Sequence, residues 1–171
     1  MAKILLFGSS TIFGVPAEID NWLLQYKNQG HEFILGDKKG VEAAFHKSLS
    51  GIGALGQSTI YSMGQAYNNK FGIKNKIFDT YYDEESKTVQ IVLRGDSEGS
   101  VDESFEPYSI AGVEKEMDIP HTKEWYEFKD KQMIRDCDIA IGVVDVNDKV
   151  TTHIIQLLNI YNKPCYTTVI R

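Results

Sequence analysis

Cysteine is scarce in this chain: among 171 residues only Cys137 and Cys165 occur, without the spacing of a metal site or a redox pair. Each flanks or lies within a strand-like apolar run, so both are expected as reduced core residues. Basic charge is also in deficit. Eighteen lysines and arginines face 24 aspartates and glutamates, a net charge of -6, which argues against non-specific binding to nucleic acid or to an anionic membrane. No apolar run reaches the roughly 18 residues of a membrane span. Met1-Ala2-Lys3 leads straight into a strand instead of a signal-peptide core, so a soluble, cytoplasmic protein is expected. Internal repeats, low-complexity tracts and linkers are missing too. A chain of 171 residues can bury about two-thirds of its unfolded surface, so one domain over residues 1–171 is expected, without metal or cofactor.

What is present is a succession of strand-like and helix-like stretches. Lys3 to Phe7 is an apolar run bounded by Gly8, the pattern of a strand covered on both faces. From Pro16 onward Ile19, Trp22, Leu23 and Tyr26 recur at helical spacing until Gly30. His31 to Leu35 then reads as a strand, Gly36 to Gly40 as a loop, and Val41, Ala44, Phe45, Ser48 and Leu49 as one face of a second helix. Ser58 to Met63 supplies a third strand. Asn75 to Tyr82 and Lys87 to Leu93 form a hairpin around Asp83-Glu84-Glu85-Ser86, followed by a polar, acidic stretch from Arg94 to Pro107 that predicts a mobile loop. Residues 75–122 thus read as an irregular insertion. A helix over Glu124 to Arg135, a strand over Asp138 to Val144, a helix over Thr151 to Tyr161 and a strand over Cys165 to Ile170 close the chain. The pattern predicts an α/β fold: a Rossmann-like three-layer sandwich with a mostly parallel central sheet and an inserted β-hairpin.

Two glycine-bearing junctions carry the chemical signal. Gly8-Ser9-Ser10-Thr11-Ile12-Phe13-Gly14 follows the first strand, and Gly36-Asp37-Lys38-Lys39-Gly40-Val41-Glu42 follows the second. Free amides at a helix start stabilise an anion, and glycine lets a ligand approach the backbone. Parallel strands bring both loops to one sheet edge. Glu42, in the first helical turn, competes with phosphate for the helix amides and suits a ribose or base contact better. Lys38 and Lys39 can reach a phosphate or remain a solvated pair. After the late strand, Asp145 stands where open sheets place a ligand-facing carboxylate. Asp148 or Thr151 caps the helix that follows, and Thr151 and Thr152 with their amides can close the phosphate site from the opposite wall. Asn69, within Tyr67-Asn68-Asn69-Lys70, can recognise a base edge or simply favour a turn. Arg94 can reach a phosphate or form a surface ion pair.

With these pieces in place, the chain resembles the SLOG superfamily, the Rossmann-like group that contains the DNA-processing protein A fold, the LOG phosphoribohydrolases and sensors of nucleotide-derived signals. The resemblance rests on Lys3 to Ser10, on Gly36 to Glu42 in place of a Gly-x-x-x-Gly-x-Asp loop, and on Cys137-Asp138-Ile139-Ala140-Ile141 with the Thr151-Thr152 helix start. It implies a nucleotide-like ligand. The LOG enzymes carry Pro-Gly-Gly-x-Gly-Thr-x-x-Glu after the late strand, where this chain reads Asn147-Asp148-Lys149-Val150-Thr151-Thr152-His153-Ile154-Ile155. The glutamate for N-glycosidic cleavage is missing, and only Asp145, Asp148 or Glu42 can substitute. The resemblance therefore implies binding for sensing or sequestration, with a nucleoside-monophosphate N-glycosidase and a scaffold without ligand as alternatives. Tyr81, Tyr82, Tyr108, Trp125 and Tyr126 offer aromatic surface for a homodimer or for covering the core.

Overall fold

The computed structural model describes residues 1–37, 40–64, 74–95, 100–112 and 123–170. Its strands are β1 (Lys3–Gly8), β2 (Glu32–Leu35), β3 (Ser58–Met63), β4 (Lys74–Asp83), β5 (Thr88–Leu93), β6 (Tyr108–Ile110), β7 (Ile139–Asp145) and β8 (Cys165–Ile170). Its helices are α1 (Ala17–Asn28), α2 (Val41–Gly51), α3 (Lys123–Asp136) and α4 (Lys149–Ile160). One sheet joins all the strands in the order β6-β5-β4-β3-β2-β1-β7-β8. The pairings among β4, β3, β2, β1, β7 and β8 are parallel, and β5 pairs antiparallel with β4 and β6. This is an α/β, Rossmann-like sandwich with a mostly parallel sheet.

The central strand is apolar throughout because helices cover both of its faces. Ile4, Leu5, Leu6 and Phe7 are at most 1% exposed. Ile4 and Leu6 pack with Ile19 and Leu23 of α1 and with Val41, Phe45 and Leu49 of α2. Leu5 and Phe7 join Phe128, Met133 and Ile134 of α3 and Ile154, Leu157 and Leu158 of α4 on the other face. Pro16 stands at the N-cap of α1, where its missing N–H costs nothing, and Gly30 at φ 81° ends the turn beyond it.

Several features differ from the sequence expectation for physical reasons. The hairpin is no separate appendage, since β4 pairs parallel with β3 and extends the main sheet. Its residues after Phe78, the partner of Met63, run past the end of β3 and stand above the sheet edge. Strand β6 has three residues, two of them exposed, too short a pattern for alternation to register. The described part of 94–107 is tied down: Gly95 N–H donates to the Ser100 carbonyl at 2.9 Å, Asp102 N–H to that of Leu93 at 2.8 Å, and Phe105 packs on Phe78 and Phe128. Cys137 is buried as expected, whereas Cys165 on the edge strand is half-buried. Burial pushes both thiols up to about 11, so they stay protonated at neutral pH.

Candidate functional site

The chain reverses its direction of growth across the sheet between β1 and β7. From β1 it adds β2, β3 and β4 on one side; β7 and β8 lie on the other. The connections after β1 and β7 therefore diverge, and they leave a crevice outside the strand ends. An open cleft of about 350 Å³ lies there, lined by Ser10, Thr11, Asp145, Asn147, Asp148 and Lys149.

The wall of the cleft is built from inside. Ser9 is fully buried: its N–H donates to the Val143 carbonyl at 3.1 Å, and its carbonyl accepts from Ile12 at 3.3 Å and from Val41 at 3.1 Å. Its hydroxyl accepts from the Asp145 amide at 2.8 Å and lies 3.4 Å from the Thr151 hydroxyl. One serine thus ties β1, the start of α2, the end of β7 and α4 together. Gly8, Gly36 and Gly40 contribute by admitting neighbours. A side-chain methyl at Gly8 would meet the Val143 carbonyl oxygen at 2.2 Å and Val41 at 2.5 Å; at Gly36 it would meet the Glu42 carboxylate at 2.8 Å; at Gly40 it would meet the Ser10 backbone at 2.5 Å. Gly40 also holds φ 78°, ψ -126°, a conformation that other residues adopt only under strain. On the side where a Cβ would stand, each of these glycines admits atoms of the protein itself, and at Gly8 and Gly40 the close approach brings the two junctions into contact.

The two helix starts at this edge differ. Asp148 caps α4: its Oδ1 accepts from the amides of Val150 at 3.0 Å and Thr151 at 3.3 Å, and its Oδ2 from the Thr151 hydroxyl at 2.6 Å. Burial by itself would raise this carboxyl, but the Thr151 and Ser9 hydroxyls and the two amides outweigh it and hold Asp148 below the ordinary carboxylate value. The Thr152 hydroxyl donates back to the Asp148 carbonyl at 3.0 Å. Thr151 is buried and Thr152 points along its own helix, so the α4 start is occupied by its own side chains. At α2 no side chain caps the start; Gly40 stands at the N-cap beside Ser10.

Asp145 faces the cleft half-buried. It accepts from the Thr11 hydroxyl at 3.4 Å and from the Asn147 amide at 2.9 Å. Glu42, by contrast, is 2% exposed and lies beneath Gly36. Across that loop Lys129 of α3, itself buried, donates to Asp37 Oδ1 at 2.8 Å. Burial alone would lower the Lys129 ammonium, yet the Glu42 and Asp37 carboxylates more than offset it and raise it.

The structure thus gathers Ser10, Thr11 and Asp145 at the cleft, and it buries Ser9, Gly36, Gly40 and Glu42 with inward contacts. Arg94 is elsewhere: its Nε and Nη2 donate to both Asp79 oxygens at 2.9 and 2.8 Å. It stands four strands from β1, roughly 19 Å away at about 4.8 Å per strand. Lys38 and Asn69 lie outside the described residues. Thr11, Asn147 and Lys149 also line the cleft; Thr11 belongs to the glycine-bearing junction after β1, and Asn147 and Lys149 to the run between β7 and α4. Among the described residues no three His, Cys, Asp or Glu side chains gather closely enough to hold a metal ion.

Fold and cleft together define an open α/β protein whose crevice lies at a topological switch point. Compared with protein-family models, with curated proteins and with solved structures, the chain matches none.

Proposed function

We propose that this chain binds a nucleotide or nucleotide-derived small molecule at the switch point between β1 and β7, for sensing or sequestration, as a SLOG-like protein. The carrying observation is the Asp145 carboxylate beside the Ser10-Thr11 loop in the cleft, with the α2 start, which no side chain caps, packed behind Ser10. Amides at a helix start suit a phosphate, and a carboxylate beside hydroxyls suits ribose hydroxyls. Among the described lining residues Lys149 is the cation, with Asp145 and Asp148 against it, so their balance favours a ligand carrying hydroxyls over a bare anion. A cytoplasmic homodimer accords with this reading. No helix among the described residues is long and apolar enough to cross a membrane, and Tyr81, Tyr108 and Tyr126 are 50%, 41% and 56% exposed.

The test is a thermal-shift screen against nucleoside mono-, di- and triphosphates, cyclic nucleotides and ADP-ribose derivatives, with each hit examined for released base. Ligand at about 100 times Kd adds roughly 2.7 kcal/mol and raises the melting midpoint by a few degrees. A shift without free base, weakened about tenfold by Asp145→Asn, is the expected result. No shift with any nucleotide overturns the proposal. Free base would favour the N-glycosidase instead, and a specific observation keeps that reading in view: of its two leading carboxylates, Asp145 faces the cleft whereas Glu42 is buried.

A further inference from the structure

A second depression lies apart from the switch-point cleft and shares no lining residue with it. It sits between β6 and the outer side of α3. An open cavity of about 430 Å³ and an adjoining recess of about 100 Å³ share Tyr108, Phe128, Gln132 and Arg135 as lining. The floor is aromatic. Phe128 is 4% exposed, with the rings of Tyr108 and Phe105 at 5.2 and 6.4 Å from its own. Tyr161 closes the far side of the recess.

Of the charged side chains that line this floor, Lys131 is in an ion pair among the described residues, while Glu106, Glu124 and Arg135 are in none. Glu124 accepts from the Tyr108 hydroxyl at 2.9 Å, and Glu127 receives Lys131 at 3.5 Å and His153 at 3.0 Å. The Arg135 guanidinium lies over the Tyr161 ring, 5.8 Å from its centroid, and stands in no ion pair among the described residues. A cation–π contact engages the guanidinium charge without using its N–H donors, a fork matched to a carboxylate. Gln132 beside it adds an amide with both donor and acceptor. Glu106 also lines the open cavity, and its charge disfavours a ligand of high negative charge.

We infer that this depression is a binding site for a small aromatic carboxylate, its ring on Phe128 and Tyr108 and its carboxylate on Arg135. An aromatic ring gains edge or offset contact from these rings beyond simple burial, and a single carboxylate meets the Arg135 guanidinium, which among the described residues has no carboxylate partner. The assignment stands independently of the nucleotide reading, because the two sites have no residue in common.

The experiment is a titration of the purified protein with benzoate, phenylacetate and naphthoate, followed by calorimetry and by amide chemical shifts, with cyclohexanecarboxylate and benzamide as controls. Saturable binding with Kd of about 1 mM or tighter is expected for the aromatic acids. Benzamide and cyclohexanecarboxylate should each bind about tenfold more weakly, and Arg135→Gln should weaken the acids by about tenfold with the melting midpoint unchanged. In the unaltered protein the shifts should centre on Tyr108, Phe128, Gln132 and Arg135. Absence of saturable binding, equal binding of cyclohexanecarboxylate, an unaffected Arg135→Gln variant, or shifts centred on Asp145 would each overturn the assignment.

Discussion

A methyl group at Gly36 would stand 2.8 Å from both carboxylate oxygens of Glu42, a helix residue that is 2% exposed. Gly36→Ala should therefore cost about 1 kcal/mol, read from the urea midpoint, because the Glu42 carboxylate, although the end of a flexible side chain, is buried and must shift to admit the methyl. Glu42→Asp in the same chain shortens the acid by one methylene and should recover part of that loss. Strictly additive costs for the two changes would show that the crowding is not the cause. This pair also marks the limit of reading the glycines from sequence. That Gly8, Gly36 and Gly40 matter was legible; that Val41 crowds Gly8 and Ser10 crowds Gly40 depends on atoms some thirty positions away, and that Glu42 turns back beneath Gly36 depends on the path of the loop. Glu42 did carry a local signal. It precedes Phe45 by three positions and Leu49 by seven, the buried stripe of α2, although an acid in a first helical turn ordinarily faces solvent.

At the scale of the element, α2 and α4 both start at the switch-point edge of the sheet, and their caps set them apart. Asp148→Ala removes the acceptor for two α4 amides and should cost about 1 kcal/mol, whereas Asp148→Asn retains a good cap. The charge has its own pH signature. Because the folded Asp148 carboxyl lies below its unfolded value, the stabilisation it contributes is complete above that unfolded value, about 3.9, and is lost as pH falls through the folded one. The stability gap between the unaltered chain and Asp148→Asn should be flat above about pH 5 and should narrow only in stronger acid. A gap that changed between neutral pH and about pH 5 would point to another group. The cap itself was legible from Asp148 and Thr151 ahead of an amphipathic run. The same residues also suggested a phosphate-closing role for the Thr151 and Thr152 amides. That suggestion weakens because Asp148 engages the Thr151 amide with its carboxylate and the Thr152 amide with its carbonyl. Short β6 and the polar α3 were harder to read. Two exposed residues out of three leave no alternation, and α3 buries Lys129 and Asp130 beside Phe128.

Across the whole molecule, the helix layers on opposite faces of the sheet meet electrostatically above β2. Lys129 comes from α3 on one face, Glu42 from α2 on the other, and Asp37 from the loop between them. Lys129→Met leaves the two carboxylates without this cation and should destabilise the fold by about 3 kcal/mol, whereas Asp37→Asn, at a side chain 31% exposed, should cost about 1 kcal/mol. Since the Lys129 ammonium is raised, its contribution is complete below the unfolded value of about 10.4 and is lost only as pH rises through the folded one. The difference between Lys129→Met and the unaltered chain should accordingly stay constant from about pH 6 to pH 9, measured by chemical denaturation. The sequence by itself determined what depends on near neighbours: apolar runs that make covered strands, helical spacing that makes amphipathic helices, glycine and proline stops, and an acid that caps α4. Tertiary structure alone decided that β4 continues the main sheet, that Ser9 and Glu42 work from the interior, that Arg94 belongs to Asp79, and that Arg135 lies over the Tyr161 ring. The physical reason is that hydrogen bonding and ion pairing are fixed by distances of a few ångströms between side chains up to 142 positions apart, as Ser9 and Thr151 are, and no local pattern encodes those distances.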